Sequence, residues 1–244
     1  LPEKRSFATF AFESFDQGFH AVVEFFNRGL RPALLDLTEE RYGDKGSVLL
    51  YLMFEGTAEE VEGQEKGVRR FCQQAGGRDA GPEETLHYWD TRYDIALRFK
   101  AERANSGAAR RPRPSRRGRG FDYLHVSLPS SRVLEYKHWC QDYLPQHGVE
   151  VREYAIWTRP EFFSLFLVPT GGPSGPDADR LAQVVDRVLE KAQDMGGSME
   201  YCHGVGVKLA HLVAREMGVG LEVVRALKQA LDPYNIMNPG KLGL

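Results

Sequence analysis

The chain has 244 residues, 42% of them hydrophobic, three cysteines and a net charge of −2. That length builds one large core or two small ones, and the near-neutral charge gives no global case for a nucleic-acid partner. There is neither a run of eighteen apolar residues nor an apolar N-terminal segment, and Cys72, Cys140 and Cys202 have no metal-like spacing. The expectation is therefore a soluble, cytoplasmic protein with reduced thiols.

The first predicted element is a strand over residues 6–13, where large and small apolar residues alternate. Asp16 opens a helical stretch with Phe19, Val22, Val23 and Phe26 on one face. An extended run at 33–37, a strong strand over 47–54 and a helix from Thr57 carrying Val61, Val68, Phe71 and Cys72 follow. The same order returns in a strand over 123–128, a helix from Ser130 or Ser131, two further strands (149–156 and 162–168) and a helix from Asp177. That last helix has the clearest apolar stripe, formed by Leu181, Val184, Val185, Val188, Leu189, Ala192 and Met195. Two β-α-β-β-α units predict an α+β fold: duplicated ferredoxin-like halves sharing an antiparallel sheet with helices on one side, followed by a C-terminal helical segment.

The expected layout is a first half over 1–103, a mobile Arg-rich loop over 104–120, a second half over 121–197 and a motif-bearing tail over 198–244. The loop has six Arg, two Pro and no large apolar residue, so it cannot bury enough surface to offset its ordering entropy. It reads as a solvated loop, as a contact for an anionic macromolecule or membrane surface, or as a lid of guanidinium groups over an anionic substrate.

Two segments carry the chemistry. In the first, Gly197-Ser198-Met199-Glu200-Tyr201-Cys202-His203-Gly204-Val205-Gly206, an imidazole precedes a Gly-Val-Gly turn whose backbone can come close to a flat ligand. In the second, Leu231-Asp232-Pro233-Tyr234-Asn235-Ile236-Met237-Asn238-Pro239-Gly240-Lys241-Leu242, Asp-Pro stops a helix and a turn rich in amides follows. A structural histidine and a simple C-terminal clasp are the plain alternatives for these segments.

These two motifs, their spacing and the helical stretch between them resemble the C-terminal, or cap, domain of FAD-linked oxidases of the vanillyl-alcohol oxidase type, most of all the alkyldihydroxyacetonephosphate synthase branch. The resemblance covers the whole chain in element order, but only the two motifs are specific. It implies FAD as cofactor and, as partner, a separate FAD-binding domain on the N-terminal side. No Gly-rich strand-to-helix loop is found here; Gly76-Gly77 and Gly171-Gly172 are isolated pairs, so the chain reads as the substrate half of a flavoenzyme. A membrane surface and a homodimer stay open as further partners.

By that resemblance His203 is the base and Tyr201 its neighbour, although Tyr201 and Cys202 stand where the synthase branch has further histidines. Ser164 falls where that branch has a catalytic Tyr, so the ether-forming reaction is in doubt. The metal-dependent 2-hydroxyacid dehydrogenase branch places two His on the strand matching 156–162, where this chain has none, and Cys202 replaces its Glu; no metal is expected. Arg92 and Arg159 are candidates for an acidic group on the substrate and Trp89 for an apolar wall. Asn235, Asn238, Lys241, Gly204 and Gly206 are candidates for the cofactor. The reading is the substrate-binding part of an FAD-dependent oxidoreductase acting on a hydroxylated, anionic small molecule, inactive alone. The alternative is a non-catalytic module of the same fold that binds an anionic macromolecule through the Arg-rich loop.

Overall fold

The computed structural model describes residues 1–42, 45–94, 96–97, 100–101, 120–171 and 178–244. Residues 104–119 of the Arg-rich stretch lie outside the described residues, as does Asp177, the expected start of the last long helix.

The first repeat is β1 (Lys4–Phe12), α1 (Phe15–Asn27), β2 (Leu34–Tyr42), β3 (Lys45–Gly56) and α2 (Ala58–Gln74), extended by β4 (Arg78–Gly81) and α3 (Glu83–Thr91). The second is β5 (Asp122–Ser127), α4 (Ser130–Gln146), β6 (Val149–Trp157), β7 (Phe162–Pro169) and α5 (Ala178–Asp194). A C-terminal segment follows with α6 (Val213–Met217) and α7 (Gly220–Leu231). The duplicated β-α-β-β-α order of the sequence reading is thus present.

Helix starts follow from capping chemistry. Ser14 accepts from the Gln17 amide ahead of α1. Thr57 and Glu60 form a reciprocal capping box ahead of α2, a device worth roughly 1 kcal/mol.

The strands form one seven-stranded sheet in the order β4-β1-β3-β2-β6-β7-β5. β3 pairs antiparallel with β1 and with β2, and β2 with β6, in a register that sets Asp36 opposite Trp157 and Glu40 opposite Glu153. The described residues fall into two compact units, one within Leu1–Arg111 and Arg152–Leu165, the other within Pro112–Val151 and Phe166–Leu244.

In the first unit one sheet face carries Phe10, Leu35, Leu37, Leu50, Leu52 and Phe54, all buried beneath α1 and α2. Burying each such side chain is worth about 1.5–3 kcal/mol. Gly18 of α1 lies so close to Leu37 that a Cβ there would come within 2.6 Å of its Cδ1, which lets the helix settle on the sheet. Strand alternation sends Thr9, Asp36, Thr38 and Tyr51 to the opposite face, where α3 lies: Thr85 shares a 2.8 Å hydroxyl contact with Thr9, and Tyr88 stacks on Tyr51 with ring centroids 4.9 Å apart.

In the second unit Leu124, Val126, Val133, Val185 and Val188 are buried in the core of β5, α4 and α5. The Tyr136 hydroxyl donates to the Val188 carbonyl at 2.9 Å and ties α4 to α5. Among the described residues no helix is long and apolar enough to cross a membrane.

Candidate active site

The His-Gly segment is held against β5 by an isolated antiparallel bridge. Ser127 and Ser198 exchange backbone hydrogen bonds of 3.0 and 2.8 Å, and the Tyr201 amide donates to the His125 carbonyl at 3.0 Å. Gly197 permits this approach, because a Cβ there would collide with the Ser127 carbonyl and the Leu128 side chain. The chain then turns on Glu200, whose Oε1 accepts from the Cys202 amide at 2.6 Å and the His203 amide at 2.8 Å. A carboxylate receiving two backbone amides fixes a turn well, since charge-assisted bonds are roughly twice as strong as neutral ones.

That turn presents His203 at the surface, with its ring against a buried partner. The His125 imidazole, 1% exposed, lies 4.7 Å from the His203 ring, centroid to centroid, at an interplanar angle of 62°. Tyr201 meets His125 edge-on at 5.7 Å and Tyr123 lies 4.6 Å from it. Burial, and secondarily the charge of His203, push the His125 pKa down to about 4, so it is neutral at physiological pH. Tyr201 and His203 thus both rest against the His125 ring. His125 and Glu200 were not among the expected site residues: His125 keeps the strand alternation of Leu124, Val126 and Leu128, so nothing in the local pattern sets it apart.

After Gly204 and Gly206, both left-handed with φ of 73° and 59°, the chain runs to Lys208, which pairs with Asp122 at 2.5 Å. A Cβ on Gly204 would meet nothing within 4 Å, so this side of the turn is open. The C-terminal tail returns to the same turn. The Leu242 amide donates to the Gly206 carbonyl at 3.1 Å, and the Lys241 Nζ stands 3.9 Å from where a Gly206 Cβ would be.

Asp232, 6% exposed, organises that return. Its carboxylate accepts from the Ile236 amide at 3.0 Å, from the Met237 amide at 2.9 Å and from Lys228. Asn235 and Asn238 sit in the left-handed region with φ of 49° and 51°, which Asn tolerates better than most residues. The expected Gly204, Gly206 and Lys241 thus meet in one place, with both asparagines on the tail that closes against it. Backbone amides, an ammonium group and an open glycine turn are the kind of donor set that suits the carbonyl edge or phosphates of a flavin nucleotide.

The other expected residues belong to the first unit. Ser164 is fully buried in β7. Arg92 lies over the Trp89 ring at 3.8 Å and the Tyr93 ring at 4.4 Å, and also donates to the Trp89 carbonyl, so both Arg92 and Trp89 are engaged in a local stack. Arg159 sits on the turn between β6 and β7 with its side chain 59% exposed and Glu161 at 3.7 Å. Among the described residues no three His, Cys, Asp or Glu side chains group closely enough to hold a metal.

The model of the family "FAD linked oxidases, C-terminal domain" matches residues 1–242. The chain belongs to that family. The cofactor of that family is FAD. A probable mitochondrial D-lactate dehydrogenase of Danio rerio is 26% identical and aligns with 99% of this chain, which spans 49% of that relative's length. Among solved structures, p-cresol methylhydroxylase with substrate bound superposes with a TM-score of 0.67 at 17% identity, covering 100% of this chain and 53% of the other. An alkyldihydroxyacetonephosphate synthase superposes with a TM-score of 0.65 at 13% identity, covering 98% of this chain and 44% of the other. The FAD-linked oxidase domain thus extends over nearly the whole chain, while the chain spans about half the length of these proteins.

Proposed function

We propose that this chain is the substrate-binding part of an FAD-dependent oxidoreductase that acts on a hydroxylated, anionic small molecule and is inactive without an FAD-binding domain. The observation that carries this reading is the placement of His203: an exposed imidazole on a turn locked by Glu200, beside an open glycine turn against which the C-terminal tail closes.

In this reading the backbone around Gly204 and Gly206, with Asn235, Asn238 and Lys241, holds the polar part of the flavin. The bound flavin supplies a two-electron acceptor. His203 takes the proton of the substrate hydroxyl, a role that contributes typically 10²–10⁴-fold. Tyr201 meets edge-on the same His125 ring that His203 rests against. Arg159, the more open of the two candidate guanidinium groups, has the chemistry to take a carboxylate or phosphate. The D-lactate dehydrogenase relative makes small 2-hydroxy acids the first compounds to test.

The test is stopped-flow reduction of the flavin in the FAD-containing protein by a panel of 2-hydroxy acids, D-lactate first. A His203→Gln variant with full flavin content should reduce its flavin at least about 100-fold more slowly. Unchanged reduction in that variant ends the assignment of His203 as base. Stoichiometric FAD retained by the 244-residue chain alone contradicts the requirement for a second domain.

A further inference from the structure

The buried imidazole under His203 has no part in the reading above, and it is an unusual choice for its position. In β5, Leu124 and Val126 point into the hydrophobic core, so Tyr123 and His125 occupy the other face. A buried imidazole has a desolvation cost in its charged form that a phenyl ring of similar size lacks. Among the described residues its ring neighbours include Tyr123 from its own strand and Tyr201 and His203 from the segment bridged to it, and of these three His203 is the one that can carry positive charge.

We propose that His125 is a positioning residue for His203: the edge-to-face contact of the two imidazoles fixes the orientation in which the His203 ring meets the substrate hydroxyl. This rests on the reading of His203 as base. The backbone supports the arrangement, because the Tyr201 amide bonds the His125 carbonyl and so ties the two rings' main chains together two residues from the base. Aromatic rings in such a contact prefer tilted or T-shaped packing, and the observed 62° lies in that range. The neutral state of His125 matters as well. A second charge at this distance would oppose proton uptake by His203, whereas an uncharged polar ring leaves that proton transfer unopposed.

The experiment compares His125→Ala and His203→Gln in the FAD-containing protein, each checked for flavin content. His125→Ala removes the ring against which His203 packs. The expected result is flavin reduction slowed about tenfold or more at saturating substrate, KM within about threefold of wild type, and a displaced limb in the pH profile of the reduction rate. A rate and pH profile identical to wild type, with His203→Gln strongly impaired, overturns the positioning role alone. If His203→Gln is also unimpaired, the base assignment falls and this inference falls with it.

A second measurement does not depend on His125→Ala folding. Histidine ring resonances of the wild-type protein should show His125 neutral from pH 8 to about pH 5, with its midpoint raised in His203→Gln as the neighbouring charge is removed. An ordinary histidine midpoint for His125 in the wild type, or no response to His203→Gln, overturns the coupling on which the proposal stands.

Discussion

Lys228 and Asp232, one helical turn apart at the end of α7, form the ion pair from which the C-terminal tail is hung. Lys228 also donates to the Met237 carbonyl at 2.6 Å, while Asp232 receives the Ile236 and Met237 amides. The pair therefore bonds both sides of the same turn. Asp232→Ala should free those two amides, and their hydrogen exchange should accelerate about tenfold or more while the exchange of β1 and β3 amides stays unchanged.

The Lys228 hydrogen bond, followed by the two amides, holds the Asp232 pKa below the ordinary carboxylate value. A depressed folded pKa means that the contribution of this carboxylate is present above the unfolded value and is lost as pH falls through the folded one. Protection of Ile236 and Met237 should accordingly persist through the ordinary carboxylate pKa, near pH 4, and fall only in stronger acid; protection already lost between pH 7 and pH 5 would contradict the clasp.

Asp36 behaves in the opposite sense. It is 4% exposed beneath α3, and burial pushes its pKa up to about 7 despite hydrogen bonds from Thr38 and Tyr88. The folded state thus binds a proton that the unfolded chain releases near pH 4, so stability falls as pH rises from about 4 to about 7. Asp36→Asn should gain on the wild type by about 1–3 kcal/mol at pH 8 relative to pH 5, read as a Tm difference that widens with pH. A constant difference across that range would show that Asp36 is ionised in the fold.

Along α7, Val223, Leu227 and Leu231 recur every four residues and are 60%, 56% and 78% exposed, with Tyr234, Ile236 and Met237 continuing the apolar surface. Exposed apolar side chains at this spacing are candidates for an interface. If the FAD-binding domain covers it, the 244-residue chain alone should self-associate and Leu227→Glu should make it monomeric by light scattering. The same change in the FAD-containing protein should reduce flavin retention. A wild-type chain that is monomeric at 100 μM, roughly the range in which exposed apolar patches associate, would argue that nothing docks there.

Arg159 is the cheapest test of an anionic substrate, because its exposed side chain does little for stability. Arg159→Met should raise KM for a 2-hydroxy acid by about tenfold or more, leave kcat within about threefold and shift Tm by less than about 2 °C. Equal loss for a neutral alcohol substrate would show that the residue does not read charge.

The duplicated strand and helix order was legible because it is a local property. Apolar residues recur at the strand period in residues 47–54 and at the helix period from Leu181 to Met195, and the side-chain geometry of each element follows from its own backbone. The helix start at Thr57 was legible too. The short β4 and α3 were not read as elements in chain order. A four-residue edge strand carries almost no periodic signal, and α3 has one fully buried residue, Thr85, held by a hydroxyl 76 positions away.

The same division runs through the site. The sequence determined on its own that the His-Gly turn and the Asp-Pro tail would exist, because glycine, proline and asparagine constrain backbone angles wherever they stand. Only the tertiary structure decided that His203 would rest on His125, that Glu200 would lock its turn and that Lys241 would come back beside Gly206. Those contacts join strands and turns that lie from a few to 78 residues apart, and their energy depends on which groups share a buried neighbourhood once the chain has closed on itself, which no local pattern encodes.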